Sequence, residues 1–286
     1  MNKITLNANA KINLSLDVLS KREDGYHELE MVMCEIPLFD IVKLEKHNEI
    51  TLRLKGEFTP NNEQNTAYKA AKAFFEYTKI KSGVSIYIEK NIPVCAGLAG
   101  GSTDAASVIK GLDELYDAKL TLDEMKKIGD CVGKDVPFCL QGGTCLAKGA
   151  GEQLTRLPML RDCYIVLVKP DNIYVSTKTI FEKSDSEKNE LHPYTKGIVQ
   201  ALEKNDVSTL SRMMYNVLEN VTSKMHPEIN EIKNTLVDMG AAGSVMSGSG
   251  PSVFAIFSDK TKALEALKYF KKKYRHSYFL DMYKTE

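Results

Sequence analysis

The chain has 286 residues, 43% of them hydrophobic, which is enough for a sizeable core and for two domains. Lysine plus arginine and aspartate plus glutamate both number 38, so the formal net charge is zero. No global field favours nucleic acid or an anionic membrane, and any anion site must be local. No apolar run reaches membrane-spanning length, the N-terminus enters a strand pattern directly, and no signal or transit peptide is expected. The six cysteines form no Cys-x-x-Cys pair, which points to reduced thiols in an intracellular, cytoplasmic protein. The five histidines show no His-x-x-x-His spacing, so no zinc site is expected.

Thr5 to Leu19 alternates, with Leu6, Ala8, Ala10, Ile12, Leu14, Leu16 and Val18 on one face. The opposite face carries Lys11 and Asn13; it is rich in asparagine and holds one cation, an unusual choice for a merely solvated surface. Asp24-Gly25 is a hairpin signal, and Tyr26 to Cys34 reads as the returning strand, with Tyr26 and His27 on opposite faces. Asp40 to Lys46 and Glu49 to Lys55 are expected as a second strand pair around His47-Asn48. A helix is expected from Asn65-Thr66, then a strand over Val84 to Lys90.

Next comes Pro93, Val94, Cys95, Ala96, Gly97, Leu98, Ala99, Gly100, Gly101, Ser102 and Thr103, followed by a helical stripe of Ala105, Val108, Ile109, Leu112, Leu115 and Tyr116. Ser102, Thr103 and Asp104 are residue types that favour a helix N-terminus. A glycine-rich loop feeding that end can aim backbone N–H groups at an anion, where a Cβ would block close approach. No lysine follows Gly101, so this is not a Walker A loop, and the glycine spacing is not the dinucleotide fingerprint. A plain helix-capping turn and a phosphate cradle both remain open on these residues alone.

Thr121-Leu122-Asp123-Glu124 is a capping box opening another helix. Asp135, ahead of Val136-Pro137-Phe138, is either a helix cap or a positioned carboxylate. Leu157-Pro158 is the expected boundary, dividing the chain into 1–158 and 159–286. Beyond it come a strand at Cys163–Lys169 and a charged surface loop at Lys183–Glu190. Helices follow at Tyr194–Lys204, Thr209–Leu218 and Pro227–Met239, then strands at Gly243–Ser247 and Ser252–Ser258. A helix at Lys260–Lys273 and a strand at His276–Met282 complete a ferredoxin-like pattern.

Three blocks now stand in a recognisable order: Ala10-Lys11-Ile12-Asn13, the loop Ala96 to Ala106, and Met246-Ser247-Gly248-Ser249-Gly250-Pro251. Over essentially its whole length the chain resembles the GHMP small-molecule kinases. Asp24-Gly25-Tyr26-His27 and Gly133-Lys134-Asp135-Val136-Pro137-Phe138 narrow the likeness to a branch acting on a cytidyl diphosphate. The resemblance implies an α+β protein with an N-terminal S5-like domain and a C-terminal ferredoxin-like domain. It implies ATP as phosphoryl donor with Mg2+, and a small-molecule cytidyl-diphosphate substrate phosphorylated on a hydroxyl. No nucleic-acid or membrane partner is expected, and the protein is a monomer or homodimer. By the same likeness Lys11 and Asp135 are catalytic, Pro93 to Thr103 bind ATP, and Asn13, Tyr26, His27, Gly248 and Ser249 bind substrate. The aromatic stacking on the base is Tyr174 or Phe181. Ser102 or Thr103 could reach Mg2+, and Lys134 adds a cation beside Asp135. The alternatives are a homoserine- or mevalonate-type kinase, a non-catalytic metabolite-binding homologue, and an S5-like RNA-binding module; the last is disfavoured by the neutral charge.

Overall fold

The structure, a computed structural model, describes residues 1–57, 59–187 and 191–282. By packing, the chain forms two compact units whose segments interleave: Met1–Lys11, Leu38–Val94 and Ala99–Gly142 make the first, and Ile12–Pro37, Cys95–Leu98 and Gly143–Glu286 the second. The division expected at Leu157-Pro158 is a cut along the chain; the packing units are discontinuous.

Strands β1 (Lys3–Lys21) and β2 (His27–His47) contribute to both units. The first unit adds β3 (Thr51–Lys55), α1 (Thr66–Thr78), β4 (Gly83–Glu89), α2 (Gly100–Tyr116), α3 (Leu122–Asp130) and α4 (Val136–Gln141). The expected pairing around His47-Asn48 does not form. Instead β4 lies between its neighbours, antiparallel to β2 and parallel to β3. The reason is burial: Val84, Ile86 and Ile88 are wholly buried and demand a central position, whereas β3 carries Arg53 and Lys55 and tolerates an edge. The apolar face of β4 packs with Ala67, Ala70, Ala71 and Phe74 of α1 and with Ala105, Ile109 and Leu112 of α2. Asn65 caps α1 by accepting from Ala67 N at 2.9 Å, and the capping box at Thr121 and Glu124 is present.

The second unit adds β5 (Thr144–Gly149), β6 (Gln153–Leu157), β7 (Tyr164–Lys169), α5 (Thr177–Ser184), α6 (Thr195–Glu203), α7 (Val207–Met213), β8 (Tyr215–Asn216), α8 (Val217–Met225), α9 (Glu228–Asp238), β9 (Gly243–Met246), β10 (Val253–Phe257), α10 (Lys260–Phe270) and β11 (His276–Asp281). β2 is one strand through Pro37, which falls between its ladder with β5 and its ladder with β4. Four antiparallel strands run in the order β11-β7-β10-β9, the ferredoxin-like arrangement expected from their sequence order. One helix expected over Thr209–Leu218 is instead α7, a two-residue bridge to β1, and α8, because Asn216 leaves the helix to pair with Leu16 and caps the next one. The charged loop expected at Lys183–Glu190 begins as the end of α5, and its residues 188–190 lie outside the described residues.

Candidate active site

In the first unit, alternation along β1 places Lys11 on the polar face, where its side chain is only 6% exposed. Its Nζ lies 3.8 Å from Asp135 Oδ2, joining positions that sequence spacing could not have linked. Asp135 stands at the N-cap of α4, yet its side chain makes no capping hydrogen bond. The helix-cap alternative therefore fails, and the carboxylate is left for Lys11. At 3.8 Å the pair is ionic without a tight hydrogen bond. Next to Asp135 in the chain, the Lys134 ammonium donates to Asp130 Oδ1 and Oδ2 at 2.8 and 2.9 Å.

The glycine loop does feed a helix N-terminus, but one turn earlier than expected. α2 begins at Gly100, and its N-cap is Ala99, in the left-handed region at φ 58° and with no side-chain cap bond. Ser102, Thr103 and Asp104 are thus inside the helix rather than capping it. Thr103 Oγ1 donates to Asn9 O at 2.6 Å, and Asp104 is engaged by Lys90. With no side chain capping the first N–H groups, they can meet an anion.

Sequence reading missed the cluster beneath this terminus. Lys90 Nζ, 4% exposed, bonds both Asp40 Oδ2 and Asp104 Oδ2, the latter at 2.6 Å. Asp40 Oδ1 accepts from Asn91 N at 2.5 Å and Ile92 N at 2.8 Å. One buried cation therefore ties the chain entering the loop to the helix leaving it. Burial raises the Asp104 carboxyl to about 7 against the opposing pull of Lys90, with the nearby Asp40 adding to the rise. The signal was a lysine directly after the alternating strand Gly83–Glu89 and just before a glycine loop.

In the second unit, Cys95 and Gly97 have φ of 52° and 73°. A Cβ on Gly97 would fall on the carbonyl oxygen of Ser247, so packing against protein, and not only room for an anion, requires glycine there. Ser247 Oγ donates to Gly97 O at 3.0 Å and accepts from Asn13 N at 3.3 Å. Gly248 lies against Gly97 as well: its Cβ would sit 3.1 Å from Gly97 O. Ser249 Oγ is 2.9 Å from Thr177 Oγ1. The first and third sequence blocks, Asn13 and Ser247-Gly248, thus converge on Gly97. The Asn13 side chain is fully buried, with Nδ2 donating to Met31 Sδ at 3.4 Å.

Elsewhere in that unit, His27 stacks on Phe181 with ring centroids 4.7 Å apart and planes at 27°. His27 Nε2 meets Asp185 Oδ1 at 2.6 Å, and Lys21 Nζ meets Asp185 Oδ2 at 2.6 Å. Phe181 and Asp185 are four residues apart at the end of α5, so both face the same ring. Hydrogen bonds from Lys21 and then His27 hold Asp185 below the usual carboxylate range. Tyr26 is 51% exposed beside them in the chain, whereas Tyr174, 68% exposed, takes Lys169 Nζ at 4.7 Å from its ring centre. Of the two candidate aromatics, only Phe181 joins His27.

Comparison with known proteins is consistent with this geometry. Residues 65–143 match the model of the GHMP kinases N-terminal domain, and residues 198–276 that of the GHMP kinases C-terminal region. A relative from Clostridium novyi (strain NT), named 4-diphosphocytidyl-2-C-methyl-D-erythritol kinase, is 48% identical over 95% of this chain and 97% of its own length. A crystal structure of 4-(cytidine 5'-diphospho)-2C-methyl-D-erythritol kinase superposes with a TM-score of 0.81 at 31% identity, covering 97% of this chain and 98% of that one. The homoserine kinase of Cytophaga hutchinsonii shares the fold, with a TM-score of 0.76 at 20% identity over 99% of this chain and 95% of its own.

Proposed function

The chain belongs to the GHMP kinase family, and on that premise we propose that it phosphorylates a hydroxyl of 4-diphosphocytidyl-2-C-methyl-D-erythritol, with ATP as donor, in the non-mevalonate route to isoprenoids. The observation that carries this is the 48% identity to a relative of that name over 95% of the chain. The homoserine-kinase alternative shares only the fold, at 20% identity. The presence of both Lys11 and Asp135, in contact, speaks against a non-catalytic homologue.

In this reading Asp135 accepts the proton of the substrate hydroxyl. Lys11, 3.8 Å from that carboxylate, offsets charge on the reacting oxygens. The loop Pro93–Thr103 and the uncapped α2 terminus bind the ATP phosphates through backbone N–H groups other than those of Val94 and Thr103, which donate to Glu57 Oε2 and Ala99 O. Among the described residues no group of three or more His, Cys, Asp or Glu side chains is placed to hold a metal ion. Mg2+ requires no such cage, since it keeps waters and binds largely through substrate phosphates. Bound there it would neutralise phosphate charge; Ser102 and Thr103 each offer a hydroxyl oxygen, that of Thr103 while its proton is donated to Asn9 O. Asn13, Tyr26, His27, Phe181, Gly248 and Ser249 form the substrate side, with the cytosine stacked on Tyr26 or Phe181. The Phe181–His27 contact supports Phe181 over Tyr174. Two domains divided near residue 158 fit the family matches, which fall on either side of it. No described helix is long and apolar enough to cross a membrane; a cytoplasmic monomer or homodimer remains our reading.

A coupled assay of ADP release across candidate alcohols tests the activity. Turnover of the cytidyl substrate, and not of homoserine or mevalonate, is expected; the reverse preference sinks the proposal. On the same assay Phe181→Ala should raise KM for the cytidyl substrate about 10- to 100-fold, as loss of one base-stacking partner typically does, with KM for ATP unchanged. Equal changes in both would make Phe181 a packing residue only.

A further inference from the structure

α8 and its N-cap residue carry a polar stripe that the mechanism above does not use. Asn216, Glu219 and Thr222 recur every third residue, and their exposures are 1%, 9% and 0%. All three grip the backbone where the last residue of β9, Met246, passes into the glycine-rich turn. Asn216 Nδ2 donates both its protons, to Met246 O at 2.8 Å and Gly248 O at 2.7 Å, while its Oδ1 caps α8 by accepting from Leu218 N at 3.0 Å. Glu219 Oε2 accepts from Met246 N at 2.7 Å, and its Oε1 is ion-paired with Lys233. The single proton of Thr222 Oγ1 is shared between Leu218 O at 3.1 Å and Ser249 O at 3.2 Å.

Four backbone groups of one short turn are thus fixed by one helix. Buried carbonyls and N–H groups left unpaired are costly, so such a set holds the turn at a defined height. The turn in turn touches Gly97, through Ser247 Oγ and through the backbone of Ser247 and Gly248. With a carbonyl oxygen where a Gly97 Cβ would be, Gly97 cannot stay in place if the turn moves toward it.

We infer that the Asn216–Glu219–Thr222 stripe of α8 is a positioning element for nucleotide binding, setting the turn 246–250 and through it the seat of Gly97 in the phosphate loop. This rests on the reading that the loop holds ATP. None of the three side chains touches substrate; they act through the turn.

Asn216→Asp separates the two jobs of that residue. Aspartate caps a helix as well as asparagine does, but it presents an acceptor to two carbonyl oxygens. Calorimetry with AMP-PNP on the substrate-free protein should show affinity reduced about 10- to 100-fold, the range for losing two buried hydrogen bonds. KM for ATP should rise in parallel, and by more than KM for the cytidyl substrate, which Gly248 and Ser249 of the same turn also raise when it shifts. Should Asn216→Asp not fold, Thr222→Val carries the test: AMP-PNP affinity should fall about 3- to 10-fold, and Thr222→Ser should restore it. Wild-type AMP-PNP affinity in either folded Asn216→Asp or Thr222→Val overturns the inference, as does an equal loss for both substrates. If the wild type binds AMP-PNP but leaves the cytidyl substrate unphosphorylated, the substrate assignment falls, and the AMP-PNP comparison still decides the role of α8.

Discussion

Asp135→Asn and Lys11→Met should each lower kcat by roughly 10²- to 10⁴-fold, the usual range for losing acid–base assistance. The first keeps size and removes the acceptor charge; the second keeps the stem and removes the cation. The two groups are 3.8 Å apart and act on the same proton and the same developing charge. Residues that act as a unit lose activity non-additively, so the double variant should be little worse than the worse single one. ATP binding should persist in all three, because the glycine loop and the α2 terminus are untouched. Fully multiplicative losses would mean that the residues work at separate places. A kcat near wild type in Asp135→Asn would remove Asp135 from the mechanism. The Asp135 side chain does not cap α4, so little stability loss is expected to obscure the kinetics.

The largest effect on stability is expected at Lys90. Its Nζ is the shared partner of Asp40 and Asp104, whose side chains are 0% and 6% exposed. Lys90→Met removes the cation and leaves two carboxylates facing one another out of water. Breaking a buried ion pair from one side costs about 3–5 kcal/mol, most of it from the uncompensated charge left behind. Urea unfolding should show a loss of that size with the m-value unchanged. Adding Asp104→Leu to Lys90→Met should recover part of it, because one stranded carboxylate is then gone. A Lys90→Met variant within about 1 kcal/mol of wild type, the level of an exposed ion pair, would refute the burial argument. Where the variant folds, its KM for ATP should rise more than that for the cytidyl substrate. The same lysine ties Asp40, which holds the N–H groups of Asn91 and Ile92, to Asp104 in α2.

Much of this protein is written locally. The alternation along β1, the Asn65 and Thr121 caps, the glycine loop opening α2 and the C-terminal strand-helix order all follow from period and turn chemistry, which act over a few residues. The family likeness came from short blocks that contain Lys11, Gly97, Asp135 and Gly248. Where the loop's helix starts was misread by one turn. Ala99 takes φ 58°, a region that alanine rarely adopts, whereas propensity favours Ser102 to Asp104 at a helix start. Likewise the sequence neighbours β2 and β3 do not pair. Competition for the buried central position is settled by β4, some 30 residues on. The long-range pairs were invisible for the same reason. Lys11 with Asp135, Lys90 with Asp40 and Asp104, His27 with Phe181 and Asp185, and Asn216 with Gly248 join residues far apart along the chain. Each residue type alone has an ordinary surface or capping explanation. Only burial, which makes an unpaired charge or carbonyl expensive, selects the partner, and burial is a property of the packed chain.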